Sequence, residues 1–152
     1  PLQRRLAAAD RARRKGYRLG FHFDPIIPMP GWEDAYARTV DDIFAAVSPD
    51  DVAWISLGVL RFVPELKDAV RGRFGPVPYF HDAFQRGLDG KSRLNVQRRI
   101  SVYRKLAERI GRHSADIRVY LCMESPYVWE QSLGIRMTSD DDLSAYLDEA
   151  MK

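Results

Sequence analysis

Apolar positions along this chain switch between two periods. Near the start, Leu2, Leu6, Ala9 and Ala12 or Arg13 recur at helical spacing, and Gly16 follows as a stop signal. Residues 17–23, YRLGFHF, are rich in aromatics and close at Asp24-Pro25, which predicts a strand. Proline removes a donor and fixes φ, so 25–31, PIIPMPG, is barred from regular helix. A second helix is predicted over 32–47, with Glu33 and Asp34 in the turn where the helix dipole favours carboxylates. The run Ser48-Pro49-Asp50-Asp51 breaks it.

A buried strand follows over 52–57, ended by Gly58, then a short helix over 64–73 with Pro64 near its first position. Residues 75–95 show no clear period; an irregular stretch of that length is more often functional or mobile than a plain connection. The next helix, 96–112, carries Ile100, Tyr103, Ala107 and Ile110 as its apolar stripe, with most of its basic residues off it. A third strand is predicted over 117–123. Ser125-Pro126 caps a helix through Leu133, and Ser139 with Asp142 resembles a capping box for a last acidic helix over 140–151. Strands alternating with helices predict an α/β fold with a parallel sheet and crossover helices. Three strands leave an exposed sheet edge, a liability that points to further strands beside the first.

Composition narrows this picture. The 152 residues suit one domain or a piece of a larger one, and 45% hydrophobic residues are ample for a core. No apolar run approaches the roughly 20 residues that span a bilayer, so no membrane partner is expected. The basic N-terminus lacks the apolar block of a signal peptide. The single cysteine, Cys122, excludes an internal disulfide and a cluster of cysteine ligands, and fits a reducing cytoplasm. The net charge of +3 is unevenly spread. Residues 71–118 hold 12 Lys+Arg against 4 Asp+Glu, and 124–152 hold 2 against 7. A basic middle attracts polyanions such as nucleic acid; a solvated helix face accounts for it equally well.

Polar residues at strand exits are where α/β proteins place their chemistry. Period-two geometry puts His22 and Asp24 on one strand face, opposite Phe21 and Phe23. An imidazole beside a carboxylate serves as a proton carrier or a ligand-binding pair; alternatively Asp24 caps the turn and His22 is a satisfied core residue. Ser56 and Gly58 end the second strand and permit close approach of a ligand. Arg61 then grips a carboxylate or phosphate, or pairs with Glu65. Lys91, Arg93, Arg98 and Arg99 flank a loop entering a helix, a site type suited to phosphate, while Tyr79, Phe80 and Phe84 offer stacking faces or core packing. Glu124 contacts a ligand or caps the next helix. Cys122, in VYLCM, reads as a buried structural thiol. His22, His81 and His113 lack metal-ligand spacing, so no metal site is expected.

Three stretches, GYRLGFHFDPIIPMPGWEDAY, WISLGVLRFVPEL and VYLCMESPYVW, together resemble the C-terminal part of spore photoproduct lyase-like proteins of the radical SAM superfamily. The resemblance covers about residues 4–133. It implies a partial (β/α) barrel, with 1–152 as the C-terminal portion of the barrel domain and an acidic helical tail at about 139–152. It implies an enzyme that uses a [4Fe–4S] cluster and S-adenosylmethionine to reverse a thymine-dimer-type lesion in DNA. His22, Asp24, Ser56 and Gly58 would then line the S-adenosylmethionine wall. Arg61, Lys91, Arg93, Arg98 and Arg99 would face DNA.

The cluster cysteines and the hydrogen-donor cysteine of that family lie in its N-terminal half and have no counterpart in this chain. The partner implied is therefore the N-terminal half of the same protein, without which the chain would be inactive. The family's Arg-Tyr pair has its nearest match in Ser92-Arg93-Leu94, without the tyrosine. The alternatives are a nucleic-acid-binding module without chemistry, or a radical SAM enzyme with a non-DNA substrate.

Overall fold

The computed structural model describes residues 1–151 except 82 and 88. Eight-residue strands β1 (Leu19–Ile26) and β2 (Val52–Val59) and the short β6 (Arg118–Leu121) form a parallel sheet in the order β1-β2-β6. Helices α1 (Leu2–Arg13), α2 (Trp32–Ala46), α4 (Val96–Gly111), α5 (Pro126–Leu133) and α6 (Asp140–Glu149) alternate with or follow these strands. This is the α/β crossover arrangement the sequence predicts, open rather than closed into a barrel.

Between β2 and α4 lie β3 (Arg61–Phe62), α3 (Glu65–Phe74), β4 (Phe84–Arg86) and β5 (Ser92–Leu94). Strands β3, β5 and β4 form a second, antiparallel sheet in that order. The stretch 75–95 is thus not simply irregular: its described residues hold a 3-10 turn, Pro78–His81, and a hairpin. Phe62, Tyr79, Phe80 and Phe84 pack edge to face, with centroids 5.0 Å apart for Phe62–Phe84 and 5.1 Å for Phe62–Phe80. Tyr79 and Phe80 are buried. These rings hold the hairpin to the body, the core-packing role that the sequence allowed for them.

The first strand also differs from expectation. It begins at Leu19, leaving Tyr17 exposed, and runs through Asp24-Pro25 to Ile26 with a register shift after Phe23. The second runs through Gly58 to Val59. The reason is pairing: Ile26 lies opposite Val59, and Leu60 donates to the Ile26 carbonyl at 3.0 Å, so the ladder continues past the proline.

One face of the parallel sheet makes the core. Ile55 and Leu57 of β2 are fully buried, with Phe23, Ile26, Val119 and Leu121 beside them. Helix α4 lays Ile100, Tyr103, Leu106 and Ile110 against this layer. Ala107 is only partly buried; Leu106 and Val102 fill the stripe instead. The caps follow the sequence: Ser125 accepts from the Val128 N–H, and Ser139 with Asp142 forms a complete capping box. Helix α3 buries none of its residues, and Leu66 and Phe74 stay exposed.

On the outer side, Asp41 of α2 accepts from Arg109 and contacts His113 Nε2 at 2.9 Å across to α4. These two partners, Arg109 foremost, hold the Asp41 carboxyl below its ordinary 3.8. A depressed folded-state value means the contribution to stability is present above 3.8 and lost as pH falls through the lower folded value. Asp41→Asn should therefore lower the melting temperature near neutrality, and the gap to the parent should close in acid below that range. A gap that persists unchanged in acid would refute the assignment.

Candidate functional site

The second face of the parallel sheet is polar. Strand register aligns Gly20 with Trp54 and Arg118, then His22 with Ser56 and Tyr120. One step further along lie Asp24, Gly58 and Cys122. The Asp24 carboxylate leans over Gly58, where an added Cβ would meet Asp24 Cγ at 2.8 Å. The Cys122 backbone N–H extends the ladder, donating to the Leu57 carbonyl at 2.8 Å. Glycine at 58 is therefore the condition for a carboxylate to lie across the sheet there. Gly20 does the same for an indole, since its Cβ would come within 3.1 Å of Trp54.

His22 and Asp24 share the exposed face of β1, as alternation predicts. Ser56 is 1% exposed, enclosed between the His22 and Tyr120 rows. The Cys122 thiol is half-buried, not sealed in the core. Burial, then hydrogen bonding to Asp24, pushes it above its usual value, so it stays a thiol. Tyr120 is pushed up by burial first and by Cys122 second. The cluster therefore offers one carboxylate among protonated thiol and phenol groups: an acceptor beside two donors. Tyr120 is a functional candidate that the sequence reading passed over, and Cys122 is one that it read as a buried structural thiol. The signal was present in VYLCM, where both alternate with Val119 and Leu121.

Arg61 sits just beyond β2, with its charge felt by both Tyr120 and Cys122. Its acid partner is Asp89, at 3.4 Å, rather than Glu65. Arg93 pairs with the same Asp89 oxygen at 2.6 Å. Lys91 lies in the hairpin, partly exposed, its backbone N–H bonded to Asp89. Arg98 is exposed in the first turn of α4 and lines a cavity of about 650 Å³ with Met29, Trp32, Tyr79 and His81.

Arg99 is placed differently from its four neighbours. It is 8% exposed, bonded to both oxygens of Glu124 at 2.8 and 3.2 Å and to the Leu94 carbonyl. Its fork is filled from inside, so it does not face an external polyanion. Glu124 in turn accepts from Tyr103 at 2.8 Å, and Tyr103 accepts from the Val59 N–H at 3.1 Å. This buried chain ties α4 to the exits of β2 and β6, beneath the polar face. Glu124 thus acts as an anchor for Arg99 and Tyr103, while Ser125 caps α5.

Among the described residues no group of three or more His, Cys, Asp or Glu is placed to hold a metal. A cluster bound through three cysteines does not fit this chain, which has one. No helix among the described residues is long and apolar enough to cross a membrane.

No family model matches the sequence, and no curated protein matches it. Solved structures do match its fold. A spore photoproduct lyase complexed with dinucleoside spore photoproduct aligns with a TM-score of 0.64 at 21% identity, over 78% of this chain and 37% of that one. A mutant of spore photoproduct lyase with the same dinucleoside aligns with a TM-score of 0.66 at 22% identity, over 78% and 38%. A further mutant, with bound AdoMet and the dinucleoside, aligns at 0.64 and 21%, again over 78% and 37%. The chain has the partial-barrel fold of part of these proteins and spans a little over a third of their length.

Proposed function

We propose that this chain supplies the later strands of a radical SAM barrel in a DNA-repair enzyme similar to spore photoproduct lyase. The observation that carries the reading is the polar sheet face. Parallel strand exits gather His22, Asp24, Ser56, Tyr120 and Cys122 around a glycine-made cradle, with a basic hairpin beside them. On this reading 1–152 is the C-terminal portion of the barrel domain, ending in the acidic helical tail at 139–152. The likeness to lyase structures that hold AdoMet and a dinucleoside lesion supports it.

In this proposal His22, Asp24, Ser56 and Gly58 form one wall for S-adenosylmethionine. Asp24 would accept a hydrogen bond from the cofactor, and Gly58 would leave the room in which that carboxylate lies across the sheet. When bound, S-adenosylmethionine supplies the radical precursor. The cluster that activates it would be held by the N-terminal half of the same protein, and this chain alone would be inactive. Arg61, Lys91, Arg93 and Arg98 would meet DNA phosphates; Arg99 belongs to the buried support.

The test is anaerobic reconstitution of the full-length protein with iron and sulfide, followed by assay for 5′-deoxyadenosine. Its formation is expected. A reconstituted protein that forms none would overturn the enzyme reading.

A second reading, a nucleic-acid-binding module without chemistry, is favoured by the excess of basic residues over 71–118. A salt titration separates the two. A steep slope lost on removing Arg93 and Arg98, with no 5′-deoxyadenosine formed, supports the module. Turnover on a substrate other than DNA, with a flat salt slope, would mark a different substrate at the same strand ends.

A further inference from the structure

The hairpin holds an arrangement that DNA contact by itself does not explain. Arg61 of β3 and Arg93 of β5 are register partners across the small antiparallel sheet. Both guanidinium groups converge on a single oxygen, Asp89 Oδ2, at 3.4 and 2.6 Å. Among the described residues no other carboxylate pairs with either arginine. Two cations therefore share one anion.

The fit is also incomplete. The second oxygen of Asp89 accepts from the Lys91 N–H at 3.2 Å, and both arginines bond to Oδ2 instead, so neither fork is met by two oxygens side by side. Arg93 Nε is buried and lacks any partner. Gly87 makes the space: a Cβ there would lie 2.8 Å from Asp89 Oδ1 and 2.9 Å from Arg93 Nε. An arginine fork is matched by an anion that offers two oxygens side by side, as a carboxylate or phosphate does.

We propose that Asp89 stands in for a nucleic-acid phosphate between Arg61 and Arg93, and that a phosphodiester binds this two-arginine site by displacing it. The inference rests on the DNA-binding reading above and adds its regulation: the site is held closed by its own acid until a competing polyanion arrives. Asp89 remains ionised in this role. Burial pushes its carboxyl up, but the Lys91 N–H, Arg93 and Arg61 together hold it below the ordinary range. The displaced carboxylate offsets part of the charge that DNA would otherwise meet. The hairpin then binds phosphate more weakly than its basic residues imply.

The experiment compares the full-length protein with its Asp89→Asn variant by fluorescence anisotropy on a labelled duplex across a salt series. Asparagine keeps an oxygen for the Lys91 N–H, so the turn is preserved. Affinity is expected to rise about two- to fivefold, the range an exposed ion pair is worth. The slope of log affinity against log salt should steepen by up to about 0.9. The gain should vanish in Asp89→Asn combined with Arg93→Gln, and should not appear in Asp89→Glu, which keeps the charge. Weaker or unchanged binding by Asp89→Asn, with parent binding that still depends on Lys91 and Arg98, would overturn this inference alone; Asp89 would then only position the arginines. No binding by either protein would overturn the DNA reading together with it.

Discussion

Glu124→Ala is expected to destabilise the fold by about 3–5 kcal/mol, the range for breaking a buried ion pair by removing one partner. The Glu124 side chain is 5% exposed and Arg99 is 8% exposed, so alanine would leave a guanidinium charge enclosed without its counter-ion. It would also strip the Tyr103 hydroxyl of its acceptor. Tyr103 is held protonated by burial and by the Glu124 carboxylate, and its hydroxyl receives the Val59 N–H. The loss thus spreads from β6 through α4 to the end of β2. Urea denaturation measures it. The sharper control is Arg99→Met with Glu124→Leu, which removes both charges and should recover most of the loss, since apolar replacement of a buried pair is often neutral. A single-mutant loss under about 1 kcal/mol would show that water reaches the pair. The same double variant should keep its DNA affinity, because neither residue faces outward.

The order of elements and the polar strand face were legible in the sequence because they rest on short-range rules. Alternation in GFHFD and WISLG places His22 with Asp24 and Ser56 with Gly58 whatever surrounds them, and Ser139 with Asp142 caps a helix from residues within one turn. What escaped depended on distant partners. Arg99 reads as one more cation at a helix start, since nothing local announces that Glu124, 25 positions on, will enclose it. Asp89 reads as a turn residue in GLDGK; only the pairing of β3 with β5 brings Arg61 to it. The hairpin itself was hidden because each of its strands is three residues long, too short to show a period. Cys122 was misjudged for another reason: apolar neighbours on both sides suggest burial, but only one sheet face is the core.

That two-sidedness sets the second large effect, on adjacent residues of β2. Leu57→Ala is expected to cost about 2–5 kcal/mol, because Leu57 is fully buried and its loss leaves a cavity beneath α4. Ser56→Ala, one residue away, should cost less than the roughly 1.5 kcal/mol of a hydrogen bond, because among the described residues its hydroxyl makes none that alanine would break. Ser56 is almost as inaccessible, at 1% exposed, so burial alone predicts no such contrast. The contrast comes from direction. Leu57 points into the packed layer with Phe23 and Leu121, its register partners, whereas Ser56 lies in the row of His22 and Tyr120. Removing its hydroxyl takes away no core volume. Thermal melts of both variants test the stability difference. Binding of S-adenosylmethionine to the full-length protein, followed by calorimetry, tests the other half: Ser56→Ala should weaken binding while leaving the fold intact. Leu57→Ala should leave the affinity of the folded fraction unchanged while lowering how much of it there is. Equal stability losses at the two positions would mean that the polar face is packed as a second core, and the cofactor wall would have to be sought elsewhere.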